Sequence, residues 1–317
     1  MYSKEEAQRI KKEFWIAFAE AYPRKWLLYD TKIKDFTFKF YIDNKKAAIL
    51  LEIEPKDEEK RIIYYEKMES LKGIIPPMIT PLNEDFSLDV EHTIRLVHHL
   101  IEGKVDGIFI LGTTGETASL SSDVKGDLIR LVCREVKGQI PVLVGITDCS
   151  FVESLNLANI AAESGAAALV AAPPFYMNIS QEELIAYYQK LTEEVPLPLF
   201  LYNMPSHTKI SIELSTVKSL SAHPNIIGIK DSSGDLNYFE GLCRAFRDYQ
   251  GFRIFVGPEE ILLQTLRLGG HGGVTGGANL FPRLYTSLFV AFENQDLEKA
   301  EHLQETIHFL GQQIYQN

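Results

Sequence analysis

The sequence predicts an α/β protein: a closed parallel (β/α)8 TIM barrel with a small N-terminal α/β extension and a short C-terminal helix. Three observations carry that prediction. Eight strand-like apolar runs recur from Gly73 onward, at Ile74-Ile75, Gly107 to Leu111, Pro141 to Ile146, Ala168 to Ala172, Leu197 to Tyr202, Ile226 to Lys230, Phe252 to Val256 and Gly272 to Thr275. Helical spacing fills the gaps between them, as in Val90, Ile94, Val97 and Ile101, or Val124, Leu128, Leu131 and Val132. Strand and helix alternate at roughly thirty residues per unit over ~200 residues, the pattern of repeated βαβ units closing on themselves. A doubly wound open sheet is the competing topology. It calls for a glycine-rich phosphate loop after its first strand, and Ile79-Thr80-Pro81-Leu82-Asn83 is not one.

The elements follow in chain order. From Ser3 to Tyr22 the apolar residues Ile10, Phe14, Phe18 and Tyr22 fall at helical spacing behind Ser3-x-x-Glu6, a capping-box pattern. Phe36 to Ile42 and Ala47 to Ile53 read as two strands joined at Asp43-Asn44, and the charged stretch Glu54 to Arg61 closes the unit. The domains expected are therefore residues 1–71, a small unit without assignable chemistry, residues 72–295, the barrel, and residues 296–317, a C-terminal helix running from Leu297 to Tyr315. Within the barrel, Ser150-x-x-Glu153 and Ser180-x-x-Glu183 mark two further helix starts.

Composition narrows the function classes. The chain of 317 residues is 45% hydrophobic and 24% charged, enough for a large core. Its formal charge is −11, yet residues 1–72 hold 16 of the 32 Lys and Arg and 14 of the 43 Asp and Glu, which leaves −13 on the remaining 245 residues. So acidic a surface repels phosphate backbones, and nucleic acid is not expected as a partner. Cys133, Cys149 and Cys243 show no CxxC spacing, which suggests neither a disulfide framework nor a zinc site. No apolar signal-peptide core follows Met1, and no window reaches the ~18 apolar residues needed to span a bilayer, so a cytoplasmic location without a membrane partner is expected.

Chemistry in such a barrel sits at the C-terminal ends of its strands. There the run Ile226-Ile227-Gly228-Ile229-Lys230 ends on a lysine. Such a lysine either sits at an exposed edge, its stem packed and its head in water, or occupies an apolar site. The apolar site penalises the ammonium and leaves a neutral amine able to attack a carbonyl and form a Schiff base. Strand two ends in Gly112-Thr113-Thr114-Gly115-Glu116, either a plain tight turn or a cradle of amides and hydroxyls for a carboxylate. Strands four and five deliver Tyr176 and Tyr202, either barrel packing or phenols that relay protons. Together these groups supply the parts needed to activate a 2-oxo acid, with no metal required. His98 and His99, adjacent on a helix, point to different faces and make poor metal ligands.

In this order, Gly112-Thr113-Thr114-Gly115-Glu116, Tyr202-Asn203-x-Pro205 and Gly228-Ile229-Lys230 resemble the dihydrodipicolinate synthase and N-acetylneuraminate lyase family of class I pyruvate-dependent aldolases, over about residues 72–317. Residues 1–15 resemble an uncharacterised bacterial domain family. The aldolase resemblance implies that Lys230 forms the Schiff base, Tyr202 acts as general acid and base, and Thr113 and Thr114 hold the pyruvate carboxylate. It further implies that Tyr176 reaches across a tight dimer, hence a homo-oligomer, dimer or tetramer, that uses pyruvate and an aldehyde and no cofactor. Val274, His207, Glu259 and Glu260 complete the substrate-binding candidates. Where the synthases carry an arginine for the aldehyde's carboxylate this chain has His207, and Glu259-Glu260 stands where the lyases bind sugar hydroxyls. Lys230-Asp231-Ser232-Ser233-Gly234-Asp235 also resembles the sugar-acid branch, and with both departures it points to cleavage of a 2-keto-3-deoxy sugar acid or a neuraminate-like substrate. Condensation of pyruvate with aspartate semialdehyde, the synthase reaction, is the alternative, and a non-catalytic ligand-binding barrel the second. The family adds three helices after its barrel, whereas one is evident here.

Overall fold

The computed structural model describes residues 36–43, 46–53, 70–249 and 251–314. The helix expected over Ser3 to Tyr22 and the charged stretch Glu54 to Arg61 lie outside them. The chain divides into two units, Met1–Ile63 and Tyr64–Asn317. In the first, β1 (Phe36–Asp43) and β2 (Lys46–Ile53) pair antiparallel, with Phe36 opposite Ile53 and Asp43 opposite Lys46.

In the second unit, eight parallel strands form one sheet: β3 (Gly73–Ile74), β4 (Ile108–Ile110), β5 (Val142–Gly145), β6 (Ala168–Ala171), β7 (Leu199–Asn203), β8 (Ile226–Asp231), β9 (Arg253–Val256) and β10 (Gly272–Gly273). Their order is β3-β10-β9-β8-β7-β6-β5-β4. Phe109 joins the two ends, donating its N–H to the Pro76 carbonyl at 3.0 Å and accepting from the Met78 N–H at 2.8 Å. This is a (β/α)8 TIM-barrel-like fold.

Period-two alternation sorts each strand into two packing layers. On β7, Leu199 and Leu201 face the helices, while Phe200 and Tyr202 join Ile75, Phe109, Leu143, Val170 and Phe255 inside the ring. Phe200 and Phe255, each 1% exposed, meet edge to face at 6.0 Å and fill the interior, an ordering worth roughly 1.5–3 kcal/mol of burial for each ring.

One irregularity decides the site. Leu199 pairs with Ile226 but Phe200 pairs with Gly228, so β8 carries an extra residue, Ile227, at this point. Ile227 belongs to the interior cluster although Ile226 and Ile229 face outward. The bulge resets the alternation, and Lys230 comes into register with Tyr202 on the inside while Asp231 pairs with Asn203 on the outside. Gly228 is needed there, because a Cβ would overlap the Phe200 ring and the Arg253 carbonyl.

Helices cover the sheet: α1 (Val90–Glu102), α2 (Ser122–Val136), α3 (Phe151–Glu163), α4 (Gln181–Glu194), α5 (Pro205–Thr208), α6 (Leu214–Leu220), α7 (Leu236–Ala245), α8 (Leu262–Arg267), α9 (Pro282–Glu293) and α10 (Leu297–Ile314). Several start on the residues the sequence marks. Ser180 and Glu183 form a reciprocal capping box at α4, while Ser150 caps α3 by accepting from the Glu153 N–H without the return bond. Asp89, Ser121 and Asp235 cap α1, α2 and α7 in the same way. His98 and His99 lie exposed on α1. Among the described residues no helix is long and apolar enough to cross a membrane. After the barrel helix α9, α10 is the one helix among the described residues.

Candidate active site

Lys230 and Tyr202 end neighbouring strands as register partners, and they are 6% and 4% exposed. The Lys230 Nζ lies 4.0 Å from the centre of the Tyr202 ring and 5.1 Å from that of Phe109, which meets Tyr202 edge to face. A primary amine held between two aromatic rings has little water to compete for a carbonyl carbon. The Tyr202 hydroxyl lies 3.1 Å from Thr113 Oγ1. Burial pushes the phenol up, but the Lys230 charge beside it, with hydrogen bonds from Thr113, Lys230 and Ser232, outweighs burial and holds it below its usual value. A phenol so held gives and takes protons more readily than one in water.

Thr113 stands on a loop fixed from both sides. The Glu116 N–H donates to the Thr113 carbonyl at 2.9 Å, and Thr80 Oγ1 donates to the Gly115 carbonyl at 2.8 Å. Gly115 packs so tightly that a Cβ would come within 2.9 Å of the Met78 carbonyl. These bonds tie the loop after β4 to the end of β3.

A cavity of about 530 Å3 opens at this end of the barrel. Phe109, Thr113, Thr147, Ala172, Phe175, Tyr202 and Met204 line it, together with Ser206, His207, Thr208 and Lys209 from α5 and its C-cap. Both rings that flank the Lys230 amine therefore belong to its wall. A second buried network braces this wall from behind. Asn203 donates its amide N–H to the Asp231 carboxylate at 2.8 Å and accepts from the Ile212 N–H at 3.0 Å. Ser233 donates to Asp231 from both its N–H and its hydroxyl. Burial nevertheless pushes the Asp231 carboxyl up, against those hydrogen bonds.

Of the residues singled out in the sequence, Thr113, Tyr202 and His207 line the cavity, and Lys230 does not line it but lies against the Tyr202 and Phe109 rings of its wall. The others do not line it. Tyr176, expected to reach the active site of a neighbouring subunit, is 83% exposed and does not line the cavity of its own chain, although Phe175 beside it does. Thr114 is exposed beside Thr113 without lining the cavity. Val274 is buried among the interior residues and donates its N–H to the Val256 carbonyl. Glu259 is 4% exposed, its carboxylate accepting from the Gly277 N–H at 2.8 Å and bonded to the Tyr285 hydroxyl, while burial pushes it up. Glu260 is exposed and its carbonyl accepts from Gln304 at 3.3 Å. The two glutamates thus do not offer sugar hydroxyls a partner in this cavity, because Glu259 pins the turn at Gly277 instead.

Sequence reasoning missed Phe109, Thr147, Asn203, Asp231, Ser232 and Lys209. Asn203 and Asp231 had a readable signal, since each is a polar residue that directly follows an inward-facing strand-end group. Lys209 had a weaker one, a cation two residues past the position where His207 replaces an arginine.

An amine and a phenol enclosed at adjacent strand ends of a parallel barrel, beside a cavity lined with hydroxyls, define a class I aldolase, a carbon–carbon lyase. The chain belongs to the Dihydrodipicolinate synthetase family, which it matches over residues 70–317. Residues 10–91 also match a domain of unknown function (DUF4268). The 4-hydroxy-tetrahydrodipicolinate synthase of Polynucleobacter asymbioticus is 35% identical over 241 residues, 74% of this chain and 78% of that protein. A solved dihydrodipicolinate synthase from Bacteroides thetaiotaomicron is 50% identical with a TM-score of 0.75, covering 77% of this chain and 82% of its own. The structure of YagE from Escherichia coli K12, a protein of the dihydrodipicolinic acid synthase family in complex with pyruvate, is 31% identical with a TM-score of 0.74 and covers 76% and 82%. YagE is named a putative 2-dehydro-3-deoxy-D-gluconate aldolase. The chain is accordingly a pyruvate-dependent aldolase of this family, and a purely ligand-binding barrel is set aside.

Proposed function

We propose that Lys230 forms an imine with the keto carbon of pyruvate and that Tyr202 moves the protons of that step. The observation that carries the reading is the buried pair of Lys230 and Tyr202 with the exposed Thr113 beside it, the amine 4.0 Å from the Tyr202 ring and the phenol 3.1 Å from the Thr113 hydroxyl. The amine adds to the carbonyl, and the Tyr202 hydroxyl donates a proton to the departing oxygen, which leaves as water. The protonated imine then draws electrons from C3, the Tyr202 phenolate takes the C3 proton, the enamine adds to the carbon of an aldehyde whose oxygen receives that proton, and water hydrolyses the product imine to free the Lys230 amine. The reverse sequence cleaves the same bond. Thr113, with Thr114 beside it, holds the pyruvate carboxylate.

For the second substrate, the names of the relatives support the synthase reaction, condensation of pyruvate with aspartate semialdehyde, over cleavage of a 2-keto-3-deoxy sugar acid. The sugar-acid reading also loses the glutamate pair on which it leaned, and it rests on His207, on the run from Lys230 to Asp235 and on the likeness to YagE. Borohydride reduction in the presence of pyruvate, followed by mass spectrometry of the digest, tests the imine. The expected result is a reduced pyruvate adduct on Lys230, and full recovery of the unmodified peptide would overturn the assignment. Condensation with aspartate semialdehyde and release of pyruvate from 2-keto-3-deoxygluconate, assayed on one preparation, decide the second substrate. The synthase reading requires the first to have the higher kcat/KM.

A further inference from the structure

We infer that Lys209 is the residue that selects an aldehyde carrying a carboxylate, an inference that rests on the imine chemistry proposed for Lys230. His207 leaves this site without the guanidinium that would grip such a group. The structure supplies a cation two residues further on. Lys209 lines the cavity from the C-cap of α5, and its exposed side chain is the one full cation among the lining residues. Its backbone has φ +62°, the left-handed conformation in which helices commonly end, and such an end presents a side chain in one place only where its neighbours fix it.

The surroundings here do so. Thr208, 4% exposed, donates its hydroxyl to the carbonyls of Met204 and Ile210, and the Ile212 N–H is held by Asn203 next to Tyr202. The loop that presents Lys209 is therefore fixed to the strand that presents the proton donor. The ammonium itself is only loosely engaged. Among the described residues its Nζ donates to the Ser206 carbonyl at 2.7 Å, a neutral acceptor, and it makes no ion pair. A carboxylate entering the cavity would exchange that bond for a charge-assisted one.

The test compares the wild-type enzyme with Lys209→Met and Lys209→Arg, using aspartate semialdehyde as the acidic aldehyde and propanal as the neutral one. Borohydride trapping of pyruvate is run on the same samples. A charge-assisted bond in a half-open site predicts that Lys209→Met lowers the acidic-to-neutral ratio of kcat/KM about tenfold to a hundredfold, chiefly through KM. Lys209→Arg should largely restore the ratio, because the charge is kept. An unchanged ratio, or a KM raised equally for both aldehydes, would overturn the role of Lys209. Failure of the wild-type enzyme to accept aspartate semialdehyde while pyruvate is trapped would do the same and leave the imine standing. Absence of any pyruvate adduct on the wild-type enzyme would overturn the imine reading and this inference with it.

Discussion

Asn203→Leu tests whether the buried network behind the site holds the loop after β7. Asn203 is 1% exposed, Asp231 2% and Ile212 0%, so water cannot replace what the amide gives them. Leucine is close to asparagine in size, which isolates the loss of polar contacts from the opening of a cavity. The substitution strands the Ile212 N–H, at about 1–3 kcal/mol, and removes one donor from a buried carboxylate, at about 1.5–3 kcal/mol. Ser233 remains on Asp231, and the two losses together come to about 2.5–6 kcal/mol. That is a large share of the ~5–15 kcal/mol that holds a domain folded. Urea unfolding should be followed by circular dichroism, since both tryptophans, Trp15 and Trp26, lie outside the barrel. The cost should also depend on pH. Burial raises the folded-state carboxyl of Asp231 above 3.8, so this group favours the fold at acid pH and loses that contribution as pH rises through the folded value. Removing the Asn203 donor raises the folded value further, so the penalty should grow as pH rises from about 4. A loss below about 1 kcal/mol, or a penalty that shrinks as pH rises, would refute the claim that this amide supports Asp231 and the loop.

Two further outcomes are expected. Tyr202→Phe keeps the ring that packs against Phe109 and Lys230 but removes the proton donor, so the fold should survive while kcat falls about a hundredfold to ten-thousandfold, and near wild-type turnover would take Tyr202 out of the chemistry. His271, held down to about 4 by burial and by Arg253, accepts from the Ile254 N–H as a neutral ring, so its contribution to stability is present above its unfolded value of 6.5 and is lost as pH falls towards 4. Thermal unfolding from pH 7 to pH 4 should therefore show a steeper decline for the wild-type chain than for His271→Gln, and equal slopes would remove His271 from the acid sensitivity.

The amino-acid sequence by itself determined the periodicities and therefore the architecture. Alternating apolar runs require strands buried on both faces, helical stripes require helices to cover them, and their regular alternation leaves a barrel as the economical closure. It also placed Lys230 and Tyr202 at strand ends, because both runs finish on them, and it marked the helix starts at Ser150 and Ser180. What the sequence could not fix was the phase of each strand relative to its neighbour. Unbroken alternation from Ile227 would turn Ile229 inward and Lys230 outward. The bulge that reverses this arises from the pairing of β7 with β8, a contact between segments about thirty residues apart, and no local pattern encodes it. The same holds for the glutamates and the lysine. Glu259 and Glu260 sit at a strand end in the sequence, yet Glu259 turns to the Gly277 N–H and Tyr285 because a buried carboxylate must find donors, and only tertiary structure puts those donors there. Lys209 reads as an ordinary loop lysine, and it reaches the cavity because Asn203, Thr208 and Ile212 fold the chain after β7 back across the barrel mouth.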